Sequence, residues 1–193
     1  MFTGIIEQLG EVISTDRNGS NVTFTIGADF TNTLKVDQSV AHNGVCLTVE
    51  SINDSNYTVT AIEETLTKTA LNNWKEGTLI NLERCMQMNA RLDGHIVQGH
   101  VDGVGHCIKL DIKEGSWEFT FKTEKRLDLI VEKGSICVNG VSLTAFDVQD
   151  NTFKVAIIPF TFEHTNFKQL AVGDEINLEF DIIGKYVQRL FKK

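Results

Sequence analysis

At 193 residues, with 41% hydrophobic and 23% charged side chains, the chain has the material for one or two globular domains, each with its own core. Its 18 basic and 26 acidic residues leave a net charge of −8, and Lys and Arg gather only over 122–126 and in the C-terminal tail, which excludes a phosphate-backbone binder. No apolar run approaches the length of a membrane span, residues 1–4 open without a charged and apolar leader, and the four cysteines form no Cys-x-x-Cys pair, so a reducing, cytoplasmic setting is expected.

In chain order, period-two alternation dominates. A turn at Asn18-Gly19 introduces an alternating stretch over 21–26, and one at Asn53-Asp54 introduces another over 57–61. A short helical piece is expected over 65–74. Polar Asn89, Arg91 and Asp93 then interrupt the apolar pattern over 87–94, where one half should give way to the next without a long linker. Beyond it, Glu114-Gly115 precedes alternation over 117–122, a helical piece is expected over 124–132, Asp150-Asn151 precedes alternation over 153–157, a further helical piece is expected over 161–170, and 176–180 closes the pattern. Runs rich in Val, Ile, Thr and aromatics and bounded by turn residues predict half-buried strands of a sandwich or barrel. Residues 184–193 predict an amphipathic helix with Tyr186, Val187, Leu190 and Phe191 on one side, serving an oligomer contact or docking on its own barrel.

The chain also says one thing twice. Asn43-Gly44-Val45-Cys46-Leu47-Thr48 returns as Asn139-Gly140-Val141-Ser142-Leu143-Thr144, and Ile80-Asn81-Leu82-Glu83 returns at the same offset as Ile176-Asn177-Leu178-Glu179. Thr65 with Thr161, Thr69 with Thr165 and Gly77 with Gly173 keep that register, and the stretch 22–26 aligns with 118–122. Two halves of one fold are therefore expected, at 1–90 and 91–183, with 184–193 as an unrepeated addition. Two related half-sites suit two copies of one ligand.

The differences between halves point to chemistry. Cys46 stands opposite Ser142, and with a one-residue shift Ile5 stands opposite His100. A thiol is a strong nucleophile and an imidazole titrates near neutrality. His95 and His100, five apart on a strand, point to opposite faces and do not suit one metal ion. Taken singly, each residue also has a plainer role: Cys46 as a small hydrophobe, a histidine as a structural hydrogen-bonder, the Asn-Gly pairs as turns, Thr48 and Thr144 as strand threonines. Pattern alone stops at a duplicated β-barrel with an unspecified small-molecule site.

Five motifs in register carry a resemblance further: Met1-Phe2-Thr3-Gly4-Ile5-Ile6-Glu7, Ala41-His42-Asn43-Gly44-Val45-Cys46-Leu47-Thr48-Val49, Gly94-His95-Ile96-Val97-Gln98-Gly99-His100-Val101-Asp102, Gly140-Val141-Ser142-Leu143-Thr144 and Ile158-Pro159-Phe160-Thr161. From residue 1 to Gly184-Lys185-Tyr186 the chain resembles riboflavin synthase of the α-chain type. The resemblance implies an all-β fold of two tandem six-stranded antiparallel Greek-key barrels with a C-terminal oligomerisation helix. It further implies a homotrimer in which the N-terminal barrel of one subunit faces the C-terminal barrel of another. The implied reaction is a dismutation of two molecules of 6,7-dimethyl-8-ribityllumazine without metal or redox cofactor, and the implied setting leaves room for association with lumazine synthase.

Matched motif by motif, the resemblance groups Gly4, Ile5, Ile6, Cys46, Leu47, Thr48, Thr60, Ala61, Ile62, Glu63, Glu64 and Thr65 around one lumazine in the N-terminal half. It groups Gly99, His100, Val101, Lys133, Ser142, Leu143, Thr144, Ile157, Ile158, Pro159, Phe160, Thr161 and Phe162 around the other. Proton transfers are assigned to His100 with Ser142 and Thr144, a polarising or nucleophilic role to Cys46, and help with the ribityl chain or protons to Asp181 and Glu64. Lumazine proteins and related fluorescent antenna proteins resemble this family along their length without catalysing. They tend to lose the histidine motif and degrade the Ser-Leu-Thr match, both of which are intact here.

Overall fold

The computed structural model describes residues 1–124 and 128–191. The first half contributes β1 (Gln8–Asn18), β2 (Asn21–Gly27), β3 (Ser39–His42), β4 (Val45–Asn53), β5 (Asn56–Ala61), α1 (Glu63–Lys68) and β6 (Leu79–Arg84). The second contributes β7 (Gly103–Lys113), β8 (Ser116–Lys122), β9 (Ser135–Val138), β10 (Val141–Phe146), β11 (Thr152–Ile157), α2 (Pro159–His164) and β12 (Glu175–Phe180), followed by α3 (Ile182–Phe191). Each set of six strands closes into an antiparallel barrel. The first runs β1-β2-β5-β4-β3-β6 and the second repeats that circular order as β7-β8-β11-β10-β9-β12.

Alternation does what it predicts. Val22, Phe24 and Ile26 on β2 and Tyr57, Val59 and Ala61 on β5 turn into the first barrel, while Phe119, Phe121, Phe153, Val155 and Ile157 fill the second. The register of one repeat needs correcting. Phe24 pairs with Val59, and Phe119 with Val155, so Phe24 corresponds to Phe119 and 22–26 align with 117–121 rather than 118–122. A slip of one residue would carry every inward aromatic to the outer face, which a closed barrel cannot accept.

The helical stretches are shorter than expected. The piece over 65–74 is α1 followed by a 3₁₀ turn at Ala70–Asn73, and that over 161–170 is α2 followed by one at Asn166–Lys168. In both, an extended threonine, Thr69 or Thr165, breaks the helix and its hydroxyl accepts the N–H two residues on. Of the helix expected over 124–132, residues 125–127 lie outside the described residues, and 128–129 and 132–133 are turns.

The barrels meet across a pseudo-two-fold. Asn43-Gly44 and Asn139-Gly140 both take φ values near those of type I′ turns (46° and 78°, 47° and 83°), and a Cβ on Gly44 would lie 2.8 Å from the Gly140 nitrogen. Around them, Asn81 Nδ2 donates to the Asn139 carbonyl (2.8 Å) and Asn177 Nδ2 to the Asn43 carbonyl (2.9 Å). Each amide oxygen in turn accepts a backbone N–H, from Asn166 at 2.7 Å and Ala70 at 2.8 Å. Phe2 bridges Val97 in the seam, in a small core with Ala41 and Cys137. The segments ahead of β1 and β7 trade places: Ile6 packs against the second core and Val101 against the first.

α3 is held by polar contacts, Lys185 Nζ to Asp102 at 2.5 Å and Gln188 Nε2 donating to Asp128 at 2.7 Å. Its Ile183, Tyr186, Val187, Leu190 and Phe191 are exposed, so its apolar side does not dock on its own barrel.

Candidate active site

Two buried carboxylates organise the site. Glu83 ends the first Ile-Asn-Leu-Glu repeat on β6 and accepts the Thr3 N–H (2.6 Å), the Thr3 hydroxyl (2.7 Å) and the Gly4 N–H (3.0 Å). Glu179, its counterpart on β12, accepts the N–H groups of Gln98 (2.7 Å), Gly99 (2.9 Å) and His100 (2.9 Å). Burial pushes both carboxyls up, and these donors pull them back. Charge-assisted bonds to successive amides fix a segment that has no strand partner of its own on that side. Sequence reasoning gave these glutamates no role, although the repeat that contains them was visible.

Each fixed segment presents a glycine to the other half's hairpin. The Gly4 carbonyl accepts the Ser142 N–H at 2.7 Å, and the Gly99 carbonyl accepts the Cys46 N–H at 2.9 Å. Both glycines have positive φ (77° and 80°), and a Cβ would fall 2.6 Å from Ser142 Cβ at Gly4 or 2.5 Å from Cys46 Cβ at Gly99. Only glycine fits. The grouping expected from sequence is therefore exchanged. Gly4, Ile5 and Ile6 stand with Ser142, Leu143 and Thr144 of the second barrel, and Gly99, His100 and Val101 with Cys46, Leu47 and Thr48 of the first.

The walls around these contacts are open. Ile5, Ile62, Ile158 and Phe160 are exposed, as are Thr48, Thr144 and His100, whereas Leu47, Ala61 and Ile157 point into the barrels and offer backbone only. Thr60 Oγ1 donates to Glu50 (2.8 Å) and lies 2.9 Å from Thr23 Oγ1. Glu63 and Glu64 start α1, Glu64 pairing with Lys68 at 2.7 Å, and Thr65 is half-buried. Pro159 starts α2, Thr161 accepts the Thr165 hydroxyl on its carbonyl, and Phe162 stacks on Trp117 with centroids 3.8 Å apart and planes 4° off parallel. The Lys133 ammonium lies 4.8 Å from the centroid of the Phe146 ring. A cavity of about 600 Å³ beside Thr3 and Ile5 is lined by Glu7, Arg84 and Cys85 and reaches neither Cys46 nor Ser142.

Charge and protonation differ between the two hairpins. Burial pushes the Cys46 thiol up, against a smaller opposing effect of the Ser39 hydroxyl, so it stands protonated at neutral pH. Ser142 Oγ sits 2.6 Å from His95 Nδ1. His95 is buried, which pushes its ring down, and the Asp181 carboxylate opposes that shift. Asp181 also accepts the Ile183 N–H at 2.9 Å at the start of α3. Of the two histidines set aside as a metal pair, His95 turns inward to Ser142 and His100 is exposed, although the segment that carries them is not the strand expected. The imidazole beside Ser142 is thus His95, and His100 belongs with the Cys46 hairpin.

The chain matches the family described as the lumazine binding domain twice, over residues 3–85 and 98–181. It is 40% identical over 195 residues to riboflavin synthase of Actinobacillus pleuropneumoniae, covering 100% of this chain and 91% of that one. It is 38% identical to the Bacillus subtilis (strain 168) riboflavin synthase over 195 residues, with the same coverage. Against riboflavin synthase of Mycobacterium tuberculosis (strain ATCC 25618 / H37Rv) it is 40% identical over 200 residues, covering 100% of this chain and 98% of that one. Among solved structures, LumP complexed with 6,7-dimethyl-8-(1'-D-ribityl) lumazine superposes with a TM-score of 0.85 at 22% identity over 93% of this chain and 98% of that one. LumP complexed with riboflavin gives 0.87 at 21%, covering 93% and 99%. At those identities the likeness is one of fold.

Proposed function

Because this chain belongs to the lumazine binding domain family as a riboflavin synthase, we propose that each of its two half-sites holds one molecule of 6,7-dimethyl-8-ribityllumazine. The enzyme is a transferase that dismutates two of them: one passes a four-carbon unit to the other, giving riboflavin and 5-amino-6-(ribitylamino)uracil. The observation that carries the half-site reading is the paired construction, a carboxylate-held glycine segment laid on the Cys46 hairpin in one case and the Ser142 hairpin in the other. Two copies of one planar substrate need two similar seats, and holding the pair in register supplies much of the rate.

In this reading one substrate sits against 99–101, 46–48 and 60–65, and the other against 4–6, 142–144 and 157–162 with Lys133. Backbone groups along these open edges bond the pyrimidine-like rim of the ring, and the exposed Ile62, Ile158 and Phe160 cover its faces. Removal of a proton from the C7 methyl of one lumazine makes the carbanion that attacks the other. His100, Ser142 and Thr144 serve the proton transfers, Cys46 acts as a neutral polarising group, and Asp181 serves protons near Ser142.

The half-sites of one chain are open surfaces, so a partner subunit is needed to bring Cys46 and Ser142 hairpins face to face. The exposed apolar side of α3 supports a homotrimer built through 184–193, with 1–90 and 91–183 as the lumazine-binding units. The four free thiols fit a cytoplasmic setting.

The test is to incubate the purified protein with 6,7-dimethyl-8-ribityllumazine and no cofactor. Riboflavin forming at half the rate of lumazine loss, with a chelator present, is the expected result. Stable lumazine fluorescence on tight binding with no riboflavin refutes the catalytic reading.

A further inference from the structure

The buried imidazole of His95 is a titratable group to which the reaction as read above gives no task. It is placed with care. Its Nδ1 lies 2.6 Å from Ser142 Oγ, and the backbone N–H of His95 donates to the Thr3 carbonyl at 3.1 Å. The preceding residue, Gly94, has no side chain where one would be impossible: a Cβ there would meet the Thr3 carbonyl oxygen at 2.0 Å and Ser142 Oγ at 3.0 Å. The close approach of imidazole and hydroxyl is thus built into the backbone. Cys46, the register counterpart of Ser142, has the Ser39 hydroxyl beside it in place of a ring.

We infer that His95 is a positioning residue for the reaction: its Nδ1 accepts the Ser142 hydroxyl proton and turns the Ser142 lone pairs toward the substrate held by 4–6. This rests on the riboflavin synthase reading. It makes the two half-sites unequal, the one at Ser142 carrying an oriented oxygen and the one at Cys46 a neutral thiol. A half-buried hydroxyl that rotates freely loses the one orientation in which its oxygen faces the ring, and a lost hydrogen bond of this kind is worth about a tenfold change in rate.

The experiment uses the full chain with lumazine as substrate and compares His95→Ala, His95→Asn, Ser142→Ala and the double variant. His95→Ala should lower kcat about tenfold with KM changed by less than about threefold. His95→Asn puts an amide oxygen near the Nδ1 position and should recover most of kcat. In the Ser142→Ala background, His95→Ala should cost nothing further, because the group it acts through is gone. Full kcat in His95→Ala, failure of His95→Asn to exceed it, or undiminished loss in the Ser142→Ala background would each overturn the assignment. Should His95→Ala fail to fold, His95→Asn and lumazine binding by Ser142→Ala still decide the matter. Absence of riboflavin with the unaltered protein would instead overturn the reading beneath it.

Discussion

The two barrels differ at one buried pair, and acid should find the difference. His42 on β3 is fully buried with Nε2 2.8 Å from the Tyr57 hydroxyl, while the register counterparts in the second barrel are Val138 and Phe153. Burial lowers the His42 ring from its ordinary 6.5 to about 4. The unfolded chain therefore binds a proton that the folded barrel refuses, so stability is full above the unfolded value and falls as pH drops toward the folded one. With those two values the loss is about 2 kcal/mol between pH 7 and pH 5, and about 3 kcal/mol in all once pH passes below 4. Replacing the pair with that of the second barrel, His42→Val with Tyr57→Phe, removes the titration. Urea unfolding followed by circular dichroism at pH 7, 6 and 5 should show the unaltered protein losing about 2 kcal/mol relative to the double variant. His95 shifts in the same direction, and Glu83 and Glu179 in the opposite sense, but they are present in both proteins and cancel in the difference. A gap between the two proteins that stays constant across this range refutes the reasoning.

Gly99→Ala should remove one of two lumazine sites per chain and Gly4→Ala the other, because a methyl at either position meets a Cβ across the hairpin and the backbone must withdraw; equilibrium binding with two sites retained in both variants would contradict the exchanged pairing. Asn177→Ala strands the Ala70 N–H and the Asn43 carbonyl at the seam, and should lower stability by about 2–3 kcal/mol in urea unfolding. An unchanged midpoint would mean water replaces the amide at no cost. No residue of α3 is itself buried, so removing 184–193 should leave the barrels folded while sedimentation shows monomers that bind lumazine and make no riboflavin; a trimer surviving the truncation would place the subunit contact elsewhere.

Much of this was legible in the residues. Period-two burial over 21–26 and 153–157 follows from closing a barrel, and two Asn-Gly hairpins at one offset required two like units. The motifs at 1–7, 46–48, 94–102 and 142–144 named segments that the fold brings together, with Gly4 on Ser142 and Gly99 on Cys46, because their glycines permit close backbone approach. Glu83 and Glu179 were missed in spite of their repeat, since a glutamate in an alternating strand reads as an outward solvated charge until something is found to donate to it. His95 was missed for a related reason: its spacing from His100 excluded a shared metal but carried no information about Ser142.

The sequence by itself determined that this protein has two barrels and which residues fill them, because those properties are local or repeat at a fixed period. Only the tertiary structure decided which segment serves which barrel. The segments ahead of β1 and β7 cross the pseudo-two-fold, so Gly4 meets Ser142 and Gly99 meets Cys46. That exchange depends on the chain path around the seam, and hydrophobic pattern records only which way a side chain faces.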